Sequence, residues 1–143
     1  MKNLLMAAGI AMTGIVAVSA AAKADDAKAK FTQALNNTQH EITTCVAYFN
    51  TISHCATRSK MPELAESYKR FADKMTQFAL VTGQKANLGE DAMVSRLDIE
   101  MKSMAKLLNG GCQNISSLMS RHLRRCEQVA KDPTEIIAEY LAK

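Results

Sequence analysis

The sequence predicts an all-α protein: a disulfide-stapled up-down-up-down four-helix bundle with a short C-terminal helix. Three observations lead there. Apolar residues beyond the N-terminal segment recur by threes and fours, and no segment alternates with period two, which is the pattern of amphipathic helices rather than strands. Proline and glycine punctuate that pattern at a few well-spaced breaks. Four cysteines, Cys45, Cys55, Cys112 and Cys126, follow a stretch that reads as an export signal, and exported chains are where disulfides form and persist.

Residues 1–24 have the layout of a signal peptide that is cleaved: Lys2 as the positive start, an apolar run from Leu4 to Ala17, then small residues. Cleavage is expected after Ala24, where Asp25-Asp26 opens the mature chain with charge, although Val18-Ser19-Ala20 offers a second site. The apolar run is shorter than the ~20 residues a membrane-spanning helix needs, so no stable membrane anchor is expected. The short alanine-rich leader is of bacterial type and points to a periplasmic or secreted protein. Residues 25–143 then form a single helical domain.

Loss of Lys2 and Lys23 with the leader lowers the basic count of 18 by two, against 14 acidic residues, so the charge balance is only mildly positive. That balance, and the lack of a basic stripe interleaved with aromatics, argues against nucleic acid as a partner.

The first helix is expected from Asp26 to about Arg58, with Phe31, Leu35, Thr38, Ile42, Cys45, Phe49, Ile52 and Ala56 on one stripe. Asn36-Asn37-Thr38 reads as a place for its first turns to fray. Ser59-Lys60-Met61-Pro62 breaks it, and Pro62 suits the first turn of a second helix whose inner face carries Leu64, Tyr68, Phe71, Met75, Phe78 and Thr82. Glu63 and Glu66 complement its dipole. After Gly83 to Gly89, a third helix opens with Glu90-Asp91 and turns Val94, Leu97, Met101, Met104 and Leu108 inward. Asn109-Gly110-Gly111 is the strongest turn signal in the chain. A fourth pattern follows at Cys112, Ile115, Met119, Leu123, Cys126 and Ala130, and Asp132-Pro133-Thr134-Glu135 starts a short last helix.

Helix geometry selects the cysteine pairing. Cys45 and Cys55 on one continuous helix stand ~15 Å apart, beyond the ~7 Å limit for a bridge, and Cys112 and Cys126 stand ~21 Å apart. Both bridges must therefore join the first helix to the fourth. If the chain folds back at the twin glycines, Cys112 comes within ~5 Å of the height of Cys55 and Cys126 within ~10 Å of Cys45. The expected bridges are Cys55 to Cys112 and Cys45 to Cys126. With no Cys-x-x-Cys motif, they are read as staples and not as a redox centre.

Candidate sites are few. His40 and His54 lie ~21 Å apart on one helix and cannot share a metal, and His54 and His122 are expected at different heights. Met75, Met101, Met104 and Met119 fall on inner stripes, where methionine fills gaps, so neither a metal nor any other cofactor is expected. Arg121, Arg124 and Arg125 form a cationic cluster and the candidate contact patch. No nucleophile elbow, phosphate-cradling glycine loop or His-Glu-x-x-His motif occurs, and enzyme activity is not expected. The reading that remains is a non-enzymatic exported bundle that binds another protein, as an inhibitor, immunity factor or accessory subunit does. The alternative is a small-ligand or metal carrier using the bundle interior.

Overall fold

The computed structural model describes residues 16–143, and five α-helices account for nearly all of them: α1 (Val16–Arg58), α2 (Pro62–Lys85), α3 (Glu90–Leu107), α4 (Ile115–Lys131) and α5 (Pro133–Leu141). A 3-10 turn covers Cys112–Asn114, and there is no strand among the described residues. Residues 1–15 of the expected signal peptide lie outside the described residues, and α1 starts earlier than the Asp26 expected for the first helix. No described helix is long and apolar enough to cross a membrane.

The core is organised around α1. Every residue from Cys45 to Phe49 is buried, and Ile42, Thr43, Ile52, Cys55 and Ala56 extend the run. Successive helical residues turn by ~100°, so that stretch presents every side of α1, and every side is covered. This corrects the expectation of a single inward stripe. Ala47 and Tyr48 fall off that stripe and are 0% exposed.

Three helices supply the cover. The Ser53 hydroxyl donates to the Ala65 carbonyl at 2.7 Å, while Gly83, near the other end of α2, lies against Gln39, so α2 runs back along α1. Arg96 reaches Gln39, and Met104 approaches the Thr51 hydroxyl at 3.9 Å, so α3 runs with α1 on another side. Cys112 bonds to Cys55 and Cys126 to Cys45, so α4 descends on the third. The outer helices have few contacts with one another. Contact between α1 and α4 is also sparse beside that between α1 and α2, and the two bridges fall where it is sparse. Each bridge, closing a long loop, contributes typically about 2–4 kcal/mol.

Two buried threonines on this helix are satisfied within it. Thr43 and Thr51 donate their hydroxyls to the carbonyls of Gln39 and Ala47 one turn back, which leaves mainly their methyl groups to pack. Thr38, expected near a fraying end, is 0% exposed, because α5 packs on this part of α1 and seats Ile136 in the core. Asp132 caps α5 by accepting from the Thr134 hydroxyl and from the Thr134 and Glu135 N–H groups, and these bonds hold its carboxyl below the usual range.

Three helices end on residues in the left-handed region: Lys60, Asn87 and Asn109, followed in the last case by Gly110 at φ 79°. The Met61 N–H reaches back to the Ala56 carbonyl, and the Leu88 N–H to Gly83. Gly83 packs closely against the Met93 side chain, which a Cβ there would displace.

Five residues expected inside are not: Phe31, Leu64, Phe71, Val94 and Met101 are 48, 43, 43, 61 and 37% exposed. Leu64, Phe71 and Val94 belong to outer helices, whose one-sided packing on α1 leaves the flanks of their apolar stripes uncovered.

Ala47 distinguishes a surrounded helix from an amphipathic one. Ala47→Leu is expected to lower stability by about 1–3 kcal/mol in urea unfolding, because it overpacks a filled site. A change within about 0.5 kcal/mol, normal for a surface position, would mean that this side of α1 is open.

Candidate functional site

Because α2 and α4 both lean on α1 and little on each other, a groove of about 320 Å³ opens between them. Its floor is Phe49 of α1. Leu64 and Phe71 line it from α2, seven residues apart and therefore on nearly the same flank of that helix. Tyr68 lies between them in sequence, and Leu123, Glu127, Ala130 and Lys131 form the α4 wall.

The rings are ordered. Phe49 stacks on Phe71 with centroids 5.3 Å apart and on Tyr68 at 6.1 Å, both within the range of favourable aromatic pairs. Phe49 is buried, whereas Phe71 keeps nearly half its surface in water. Behind the floor, the Tyr48 hydroxyl is buried with no hydrogen-bond partner among the described residues. Burial, with added repulsion from Tyr68 and Glu127, pushes its pKa up to about 12, so it stays a neutral phenol.

The lining carries one base, Lys131, and one acid, Glu127, and further basic residues stand near it. Lys74 crosses from α2 to the Ala130 carbonyl at 3.4 Å and passes over the Phe78 ring. Arg124 is exposed, and at ~100° per residue it falls on the same flank of α4 as Lys131, two turns above it. Glu127 is the one acidic residue lining the groove.

On the opposite flank of α2, a smaller hollow of about 170 Å³ lies between α1, α2 and α3, lined by Val46, Ala79, Leu80, Met93, Val94 and Leu97 among others. That is about the size of a site for one benzene ring and below the ~300–1,000 Å³ of ordinary small-molecule pockets. The centre around α1 is filled by side chains such as Ile42, Met75, Met104, Leu118 and Val129.

The three candidate contact arginines are separated. Arg121 and Arg124 are exposed. Arg125 turns into a clamp: its guanidinium donates to both carboxylate oxygens of Glu41, to both of Glu139 and to the Gln128 amide oxygen, and the Tyr140 hydroxyl donates to Glu41 at 3.1 Å. These bonds raise the Arg125 pKa and hold the Glu139 carboxyl below its usual range. Arg125 thus joins α1, α4 and α5 and is not part of an open patch.

The histidines stand in different surroundings. His54 is exposed, and His40 lies 3.7 Å from the Glu100 carboxylate. His122 packs with its ring 6.0 Å from that of Tyr48. No group of three or more His, Cys, Asp or Glu side chains is placed to hold a metal ion among the described residues. Sequence reasoning found Leu64, Tyr68 and Phe71 by their spacing but assigned them to the interior. It passed over Glu41, whose partner lies on another helix.

No protein-family model matches this chain, and comparison with curated proteins and with solved structures found no match.

His122 makes the fold sensitive to mild acid. Burial lowers its pKa from 6.5, with Arg121 acting the same way and Glu100 opposing, so the folded state favours the neutral ring. The stability it supplies is present above 6.5 and is lost as pH falls through that value toward the lower folded pKa. Glu139 loses its contribution only below 4.5, in a separate window. Urea midpoints are expected to fall between about pH 7.5 and 5.5 and to flatten in His122→Gln; identical profiles would show that His122 is not the responsive group.

Proposed function

We propose that this is a non-enzymatic, periplasmic or secreted binding protein, an up-down-up-down array of four helices, that takes an acidic, apolar segment of another protein into the groove between α2 and α4. The observation that carries this reading is Phe71: an aromatic ring stacked on a buried ring, held in place, and still 43% exposed. Binding energy at protein interfaces concentrates in aromatic anchors that a partner desolvates, and Phe71 with Leu64 is such a pair. The rim supports the choice of partner. Lys74, Arg124 and Lys131 outnumber Glu127, and basic rims steer and orient acidic segments.

The carrier reading fits less well. The groove is at the lower end of the volume range for small-molecule pockets and is walled by half-exposed side chains. Two disulfides suit an oxidising compartment, and a rigid frame keeps the ordering cost of binding small.

The test is recovery from periplasmic extract of the source cells with four baits: wild type, Phe71→Glu, Arg124→Glu with Lys131→Glu, and Leu80→Glu on the opposite flank. The expected result is a stoichiometric protein partner held by wild type and Leu80→Glu. It should be weakened about 30-fold or more by Phe71→Glu, as for a hot-spot residue worth about 2 kcal/mol, and lost with added salt. Equal recovery on all four baits, with thermal midpoints matched, would remove the groove from the argument. A stoichiometric non-protein mass on the exported molecule in native mass spectrometry would favour the carrier.

A further inference from the structure

The two bridges sit in different surroundings. Cys45 and Cys126 are each 1% exposed and joined inside the core cluster. In the other bridge only Cys55 is sealed, while Cys112 is half-buried at the head of α4. Cys112 also lines a depression of about 440 Å³ whose other walls include Arg58, Ser59, Gly110 and Gly111. A Cβ on Gly110 would meet open space, while the Gln113 side chain lies against Gly111. No acidic side chain lines the depression, and Arg58 brings a positive charge one turn beyond Cys55 on α1.

We propose that the Cys55–Cys112 bridge is a thiol–disulfide exchange site for an external dithiol, that attack falls on Cys112, and that Cys45–Cys126 is kept out of the reaction. The direction follows from geometry. A thiolate must approach a disulfide sulfur along the S–S axis, from the side away from the leaving sulfur, and Cys112 is the half of this bridge that is partly exposed and lines a depression, whereas Cys55 is 1% exposed. The reagent thiolate bonds to Cys112 Sγ, the bond to Cys55 Sγ breaks, and its electron pair leaves as the Cys55 thiolate, which takes a proton. The second thiolate of the dithiol then attacks the reagent sulfur of the mixed disulfide. It closes the reagent's own disulfide and releases Cys112 as a thiolate, which is protonated in turn. The protein bridge gains two electrons and two protons, and the dithiol is oxidised by the same amount. Arg58 attracts the incoming thiolate and stabilises the charge developing on Cys55. Opening this bridge frees the 3-10 turn and the top of α4, while Cys126 and the Arg125 clamp hold its lower half.

The experiment treats the folded, oxidised wild-type protein with limiting dithiothreitol, quenches in acid, alkylates and maps the peptides. The first reduced species is expected to carry label on Cys55 and Cys112 with Cys45–Cys126 intact. Oxidised-protein samples exposed to glutathione should give a mixed disulfide on Cys112. Hydrogen exchange of the singly reduced form should rise over residues 112–120 and stay unchanged over 125–141. Arg58→Gln should slow the first step about threefold at low salt, with the difference fading at about 1 M salt. Label appearing first on Cys45 and Cys126, both bridges opening together, or glutathione on Cys55 would each overturn the proposal. An Arg58→Gln rate equal to wild type would remove Arg58 from it.

Discussion

The structure depends on one helix being surrounded. Over the stretch from Cys45 to Phe49, α1 touches neighbours on all sides, and the helices around it meet each other little. A square bundle shares its core among four equal members; here α1 supplies 8 of the 18 buried residues of the core cluster, more than any other helix. The consequence is asymmetric. Loss of any outer helix exposes one side of α1, whereas loss of α1 leaves the others only their few contacts with one another.

That asymmetry explains where the covalent links lie. The α1–α2 pair is extensive and needs no staple. The contact of α4 with α1 is thinner, and it is the contact fastened twice, at Cys55–Cys112 and Cys45–Cys126, with Arg125 pinning α5 beneath it. The same splaying opens grooves on both flanks of α2. A chain of modest aromatic content thereby keeps Phe71 partly outside without losing its core, because the bridges supply what closer helix packing would otherwise have to.

How much of this was legible depended on how local the chemistry is. Pro62, Asn109-Gly110-Gly111 and Asp132-Pro133 act on their own backbone, and the helix boundaries they imply agree with the structure. Cysteine spacing on rigid rods gave the pairing, since rise per residue is a constant. The centrality of α1 was not legible, because Ala47, Thr43 and Thr51 read as small or polar when they in fact pack, the threonine hydroxyls being satisfied within their own helix. Periodicity marks an apolar flank but not how many neighbours arrive to cover it, so Leu64 and Phe71 were assigned inward. The role of Arg125 depends on Glu41 and Glu139, separated from it by 84 and 14 positions, and no local charge pattern reveals such a meeting.

Placing Cys45 and Cys55 on one rod also bears on biosynthesis. A chain threaded out N-terminus first presents these two thiols together before Cys112 and Cys126 arrive, and an indiscriminate oxidant would couple the first pair to emerge. Coiling of α1 ahead of oxidation separates them by ~15 Å, beyond bridging distance, and so strikes one of the three connectivities from the list. The backbone acts here as its own proofreader, because a coiled α1 holds these two thiols out of each other's reach.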